Sequence, residues 1–287
     1  MKIGTKKITL VECPRDAMQG WESYIPVDDK VRYLNSLLKV GFDTIDFGSF
    51  VSSKAIPQMR DTKEVIEQLQ IEPSATKLLA IVANVRGAIE ALEYDQITCL
   101  GYPFSVSEEF QRRNANSTIE ESLIRVEEIQ TLCVKNNKKA VIYLSMGFGN
   151  PYGEQWNSEI VINYVKRLVD LGIRTMALSD TVGVSNRKNI MHLFERLIPA
   201  FPEVEFGAHL HSTNTTWKEK IDACIESGCL RFDSAILGIG GCPMADNKLV
   251  GNLATENLVD YFGGTAAMGL DPEAFSESKR IANEIFH

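Results

Sequence analysis

Residues 175–211, TMALSDTVGVSNRKNIMHLFERLIPAFPEVEFGAHLH, decide the fold. Two apolar runs of strand length, 175–179 and 204–209, flank a longer stretch of helical periodicity, which reads as a strand, a crossover helix and a second strand. Such a crossover lets the two strands run parallel. The alternation continues in both directions from this unit. Further candidate strands fall at 7–13, 44–47, 77–83, 96–100, 139–144 and 230–236, which makes eight, with helices between most of them. Helices are expected at 26–40 and 118–136, the second opening as STIEES, a capping box with Ser117 or Thr118 as N-cap.

Eight such units in 287 residues suit a closed (β/α)8 TIM barrel with its active site at the carboxyl ends of the strands, a fold of about 250 residues. The rival is an open doubly wound sheet. Against it, no G-x-G-x-x-G follows the first strand and no G-x-x-x-x-G-K-[ST] occurs. Residues 1–287 are therefore read as a single TIM-barrel catalytic domain, with 264–287 as a C-terminal helical extension. Its helix, 271–286, is placed either to cap the barrel or to meet another copy in a homo-oligomer.

Hydrophobic residues at 44% and charged residues at 24% supply a sizeable core and exclude disorder and collagen-like repeats. Thirty Lys and Arg against thirty-eight Asp and Glu give a net charge of −8, so nucleic acid is not an expected partner. No run of eighteen apolar residues occurs, and MKIGTKKITLVEC lacks an apolar stretch of signal-peptide length, so no membrane partner is expected. Six cysteines, at 13, 99, 133, 224, 229 and 242, form no C-x-x-C pair and read as reduced thiols in a cytoplasmic compartment.

Chemistry-capable residues collect at the strand ends. Arg15-Asp16 follows strand one, Asp46 lies in strand two, Asp180 follows strand six, His209-Leu210-His211 ends strand seven, and Gly240-Gly241-Cys242 and Asn252 follow strand eight. Barrel closure sets strand eight beside strand one, so Asp16, both histidines and Asn252 converge. His209 and His211, two apart, project from one face of an extended strand and can hold one ion; the rival reading is a hydrogen-bonded strand pair. An Asp carboxylate and an Asn carbonyl complete an oxygen and nitrogen set without thiolate, which fits octahedral Mg²⁺ or Mn²⁺ better than structural zinc. Taken singly, Asp16 also reads as an N-cap or a partner of Arg15, and Asn252 as an N-cap before Leu253.

Arg15 keeps its proton, so beside a cation it stabilises negative charge on a carbonyl oxygen, the requirement of an enolate site. Cys242, after two glycines and before Pro243, reads as an accessible thiol for proton transfer, whereas Cys13, Cys99, Cys133 and Cys224 read as packing residues. Arg112 and Arg113, in an expected loop at 108–116, suit a phosphate-bearing group, with a solvated helix turn as the alternative.

These residues carry a resemblance. ECPRDAMQG at 12–20, GSFVSSKAIPQM at 48–59, RNANSTIEES at 113–122, GFGNPYGE at 147–154, LSDTVGVS at 178–185, AHLHST at 208–213, GIGGCP at 238–243 and GNLATE at 251–256 resemble the 3-hydroxy-3-methylglutaryl-CoA lyase family. That family sits among metal-dependent barrel lyases and Claisen-type synthases. The arginine-aspartate pair and the H-x-H are common to the whole group, while the glycine loop with cysteine is specific. The chain departs from the family pattern at Asp46, where Glu is usual, at Ser212, where Asp is usual, and in PMADNKLVG after Cys242.

The resemblance implies that Asp16, His209, His211 and Asn252 ligate Mg²⁺ or Mn²⁺, that Arg15 polarises a thioester carbonyl, and that Cys242 donates a proton. It further implies a small-molecule acyl-CoA substrate, with contacts expected from Arg15, Gln19, Asp46, Asp180, Arg112 and Arg113. The implied reaction is retro-Claisen cleavage to acetyl-CoA and acetoacetate, with His209 or Asp16 as base. Two other readings stand beside it: a related lyase or synthase acting on another 3-hydroxyacyl-CoA or a 2-oxoacid, and a non-catalytic metal-binding barrel.

Overall fold

The computed structural model describes residues 7–71, 76–241 and 251–287. Seven parallel strands pair in chain order: β1 (Thr9–Glu12), β2 (Thr44–Ser49), β3 (Lys77–Ile81), β4 (Ile97–Ser105), β5 (Lys139–Ser145), β6 (Thr175–Ser179) and β7 (Glu205–His209). A two-residue strand, β8 (His211–Ser212), then leaves the ring. The barrel is closed by β9 (Arg231–Ser234), which pairs with β7 on one side and with β1 on the other. Outside the ring, β8 pairs antiparallel with β10 (Gly251–Asn252), with Asn252 opposite His211.

The eight expected strands are the eight barrel strands, with ends shifted by a few residues. The largest shift is in β4, which continues past the expected end at Leu100 to Ser105. Pro103 forfeits a single donor, and the register with β5 continues to Ser105 opposite Ser145. The helix Ile119–Lys135 has the expected capping box: Thr118 Oγ1 accepts from Glu121 N at 3.1 Å, and Glu121 Oε2 accepts from Thr118 N at 2.8 Å.

Residues 108–116 were expected as a loop, and the structure corrects this to a helix, Glu108–Ala115. Ser107 caps it by accepting from Phe110 N at 3.1 Å. Glu108–Arg112 and Glu109–Arg113 pairs at i,i+4 then run along its exposed face. The C-terminal helix is Pro272–Ile285, capped by Asp271, and it packs on the helix Val27–Val40. Ser278 Oγ lies 2.9 Å from Ser36 Oγ, and Phe286 meets Trp21 and Tyr33 edge to face. It therefore buries its apolar face within this chain.

Two apolar regions hold the barrel. The larger lies between strands and helices, and a smaller one, containing Leu79, Ile81, Cys99, Val141, Tyr143 and Ala177, fills the interior. Among the described residues, no helix is long and apolar enough to cross a membrane.

The closing seam holds a buried carboxyl. Glu12 on β1 is fully buried and accepts from Ile236 N at 2.8 Å and from Thr255 Oγ1 at 2.6 Å. Burial lifts it from an ordinary 4.5 to about 8, against the opposing pull of those two hydrogen bonds. Because the folded chain holds this proton more tightly than the unfolded chain, the contribution to stability is complete at low pH. It is lost as pH rises from about 4.5 through about 8. Glu12→Gln keeps an acceptor and a donor without the ionisation. Urea unfolding of both proteins should show the variant gaining roughly 2 kcal/mol over the parent between pH 6 and pH 9; parallel pH profiles would contradict this account.

Candidate metal centre and active site

The first barrel loop is a short helix, Pro14–Gln19, whose Pro at the first turn suits the fixed φ needed there. It carries Arg15 and Asp16, both buried. Arg15 reaches across to β2, where Nε lies 3.2 and 3.1 Å from the two Asp46 oxygens and Nη2 is 2.5 Å from Oδ2. Its Nη1 donates to Asp16 Oδ1 at 2.9 Å. These contacts leave one N–H on each terminal nitrogen for a ligand.

One guanidinium thus sits between two carboxylates and sorts their protonation. Burial lowers Arg15, but the charges of Asp46 and Asp16 outweigh it and hold the guanidinium above its usual range. Burial raises Asp16, yet Arg15, His209 and the Asn252 hydrogen bond bring it down to about 2. Asp46 lies deeper, and there burial prevails over Arg15 and pushes the carboxyl up to about 6.

The histidines arrive from the other side of the seam. His209 ends β7, and its Nδ1 is 3.2 Å from Asp233 Oδ2 on β9. Burial lowers its pKa, but the Asp233 hydrogen bond and charge raise it overall. His211 is buried in β8, where desolvation and then the charge of His209 push it down to about 4. Ligand atoms of Asp16, His209 and His211 lie within 4.8 Å of one another.

Asn252 completes this group from β10. Its Nδ2 donates to Asp16 Oδ2 at 2.7 Å and to Ile239 O at 3.0 Å, so both amide hydrogens are used and Oδ1 is the group left for a ligand. It is not a helix cap: the residue preceding Thr255–Tyr261 is Ala254. Gly240 closes over the pair with φ +98°, and a Cβ there would come within 2.7 Å of Asn252 Nδ2 and 2.8 Å of the Asp16 carbonyl.

A second cluster, Cys13, His209 and Asp233, also has metal-ligand spacing. It shares His209, whose Nδ1 is already taken by Asp233, and neither Cys13 nor Asp233 lines the cavity above. Burial further keeps the Cys13 thiol well above its ordinary range. The Asp16, His209, His211 and Asn252 set fits a hard divalent cation: one carboxylate, one amide oxygen and two imidazoles, the last favoured neutral at His211.

That set opens into a cavity of about 470 Å³ whose walls include Arg15, Asp16, Gln19, Arg113, His209 and His211. Gln19 Nε2 donates to Asp16 Oδ1 at 3.0 Å. Three expected substrate contacts lie elsewhere: Asp46 is fully buried behind Arg15, which takes both of its oxygens, and does not line the cavity. Asp180 accepts from Ser185 and from Lys220 Nζ at 2.9 Å, and Lys220 in turn donates to the His211 carbonyl at 2.6 Å, so Asp180 braces β8 from behind the wall. Arg112 lies on the exposed side of its helix, paired with Glu108, and does not line the cavity. Cys242 lies outside the described residues.

The sequence reading missed Asp233 and Tyr143. Asp233 orients His209, and the Tyr143 ring stands edge to face against the same imidazole at 5.5 Å. A signal existed for the first: Arg231 and Asp233 are charged residues in an otherwise apolar strand.

Known proteins resemble the chain over nearly its full length. The HMGL-like family pattern matches residues 7–268. The chain is 34% identical to the hydroxymethylglutaryl-CoA lyase of Bacillus subtilis over 255 residues, which is 88% of this chain and 84% of that one. It is 32% identical to the 3-hydroxy-3-isohexenylglutaryl-CoA/hydroxymethylglutaryl-CoA lyase of Pseudomonas aeruginosa, over 90% of this chain and 86% of the relative. The structure of an HMG-CoA lyase from Acinetobacter baumannii in complex with coenzyme A and 3-methylmalate superposes with a TM-score of 0.89 at 28% identity, covering 100% of this chain and 93% of that one. A closed eight-stranded barrel, its ring of oxygen and imidazole donors and these relatives agree: the chain belongs to the HMGL-like family.

Proposed function

We propose that the protein is a lyase that cleaves 3-hydroxy-3-methylglutaryl-CoA to acetyl-CoA and acetoacetate. The observation that carries this reading is the convergence of Asp16, His209 and His211, with Arg15 beside them, in one cavity of about 470 Å³. The family and its named relatives supply the substrate class. Mg²⁺ or Mn²⁺ is the proposed ion, held by Asp16, His209, His211 and the Asn252 amide oxygen. When bound, a divalent cation there polarises substrate oxygens and lowers the pKa of the C3 hydroxyl.

His209 and Asp16 are the two candidates for removing that hydroxyl proton. With Nδ1 on Asp233, His209 has Nε2 alone for either holding the ion or taking a proton, and one step cannot use it for both. Asp16 accepts from Arg15 and Gln19 at Oδ1 and from Asn252 at Oδ2, which leaves one lone pair on Oδ2, and a carboxyl at about 2 is a weak base. Either residue serves as base only where it does not also hold the ion, so the two stand as alternatives. The alkoxide electrons then form the acetoacetate ketone as the C2–C3 bond breaks, and the released pair becomes the enolate of acetyl-CoA. The two free N–H groups of Arg15 stabilise the enolate oxygen. Cys242, assigned on its sequence context, returns a proton to the enolate carbon.

Arg113 lines the cavity and Arg112 does not, so of the two arginines Arg113 is the candidate for the phosphate-bearing end of the thioester. The compartment is proposed as cytoplasmic. Relatives include a rat protein named as cytoplasmic and a mouse protein named as mitochondrial, and the five described cysteines are free and buried.

Incubation with 3-hydroxy-3-methylglutaryl-CoA and Mg²⁺ should yield acetyl-CoA and acetoacetate in equal amounts; turnover of a different acyl-CoA alone would transfer the assignment to that substrate. Arg15→Met should lower kcat by roughly 10²–10³ through loss of charge stabilisation, and Cys242→Ser by roughly 10²–10⁴. Asp233→Asn preserves shape but removes the charge behind His209. Titration with Mn²⁺ should show affinity reduced roughly 10–100-fold, and an unchanged affinity would remove Asp233 from the cation site.

A further inference from the structure

The opposite mouth of the barrel holds a second, smaller cavity of about 80 Å³, lined among others by Lys77, Lys139, Glu205 and Arg231. These are the first residues of β3, β5, β7 and β9, so barrel closure gathers them into one ring at the amino ends of the strands. None of them touches the cavity at the carboxyl ends.

Arg231 is 5% exposed and lines this cavity. Space for it exists because residue 207 on the neighbouring strand is glycine: a Cβ there would lie 2.8 Å from Arg231 Cδ and 3.1 Å from Nε. Its Nε and Nη2 have no hydrogen-bond partner among the described residues. The nearest carboxylates stand too far away to accept, with Glu205 Oε2 at 3.7 Å from Nη1 and Asp233 Oδ1 at 3.9 Å from Nη2. Lys77 and Lys139 carry no ion pair among the described residues, while Asp43, on the same wall, is engaged by Lys7 and by Leu10 N at 3.0 Å. A buried guanidinium with unmatched donors is unfavourable until an acceptor meets it, and its planar fork matches an oxyanion. A single water needs roughly 10–15 Å³ of such space, so the cavity admits a small oxyanion.

We propose that the amino-terminal mouth of the barrel binds one small oxyanion of the phosphate, sulfate or carboxylate type, gripped by Arg231 from within and by Lys77 and Lys139 at the rim. Glu205 competes with the ligand for Arg231.

Calorimetric titration of the full-length, metal-loaded protein with inorganic phosphate, sulfate and acetate tests this. The wild type should bind one of these anions saturably, and Arg231→Met should weaken that event roughly tenfold or more. Lys77→Gln/Lys139→Gln, at exposed positions that leave the interior intact, should weaken it with kcat unchanged, and Glu205→Gln should tighten it. A preference for phosphate and sulfate assigns a tetrahedral ligand, and a preference for acetate assigns a carboxylate. Absence of saturable binding in the wild type, or equal affinity in the wild type and the Lys77→Gln/Lys139→Gln protein, overturns the proposal.

Discussion

The parallel ladder between Thr9–Glu12 and Arg231–Ser234 is the contact on which the site depends. It pairs Thr9 with Arg231 and Glu12 with Ser234, and so brings the first loop of the chain against the last. Asp16 and Asn252, separated by 236 residues, then stand within hydrogen-bond distance. Loop closure over such a span is entropically costly and nothing local offsets it. The offset comes from the barrel core and from the bonds of Glu12 to Ile236 and Thr255, which tie the segments flanking the glycine loop to β1. Glu256 adds a second tie, accepting from Leu237 N with both oxygens at 3.1 Å. That residue is held in the left-handed region, at φ +65°, where a branched side chain is unfavourable without such support.

Once the seam is closed, a single positive charge organises the mouth. Arg15 lies between Asp16 and Asp46, and the two carboxyls diverge to about 2 and about 6 because the second is further from water. At neutral pH Asp16 is therefore ionised and His211, at about 4, is neutral. Both already have the protonation a cation requires, so binding need not displace protons from either. Arg15 serves that end and also lines the cavity, so the group that keeps Asp16 ionised is the one proposed to stabilise an enolate.

Much of this was legible in the sequence because strands and the H-x-H are local patterns. Strand positions follow from apolar runs, and the spacing of His209 and His211 follows from the period of two. The convergence of Asp16 with them required only the assumption of closure. What escaped was set by tertiary contacts. Asp233 finds its partner 24 residues back in the chain, on a neighbouring strand, and a two-residue ladder such as β8 with β10 leaves no periodic trace. Arg112 and Arg113 looked equivalent as neighbours, yet adjacent positions on a helix point about 100° apart and only one faces the cavity.

The two mouths are joined by side chains of a single strand. Between them lies a thin apolar filling that includes Leu79, Ile81, Cys99, Val141 and Ala177, and a polar pair crosses it. Asp233 gives one oxygen to His209 and turns the other toward Arg231, 3.9 Å away. At that separation in a buried setting a guanidinium and a carboxyl oxygen attract far more strongly than they would in solvent. An anion at the lower mouth would draw on the same guanidinium. Two side chains of β9 thus link the ring at the amino ends of the strands to an imidazole at their carboxyl ends.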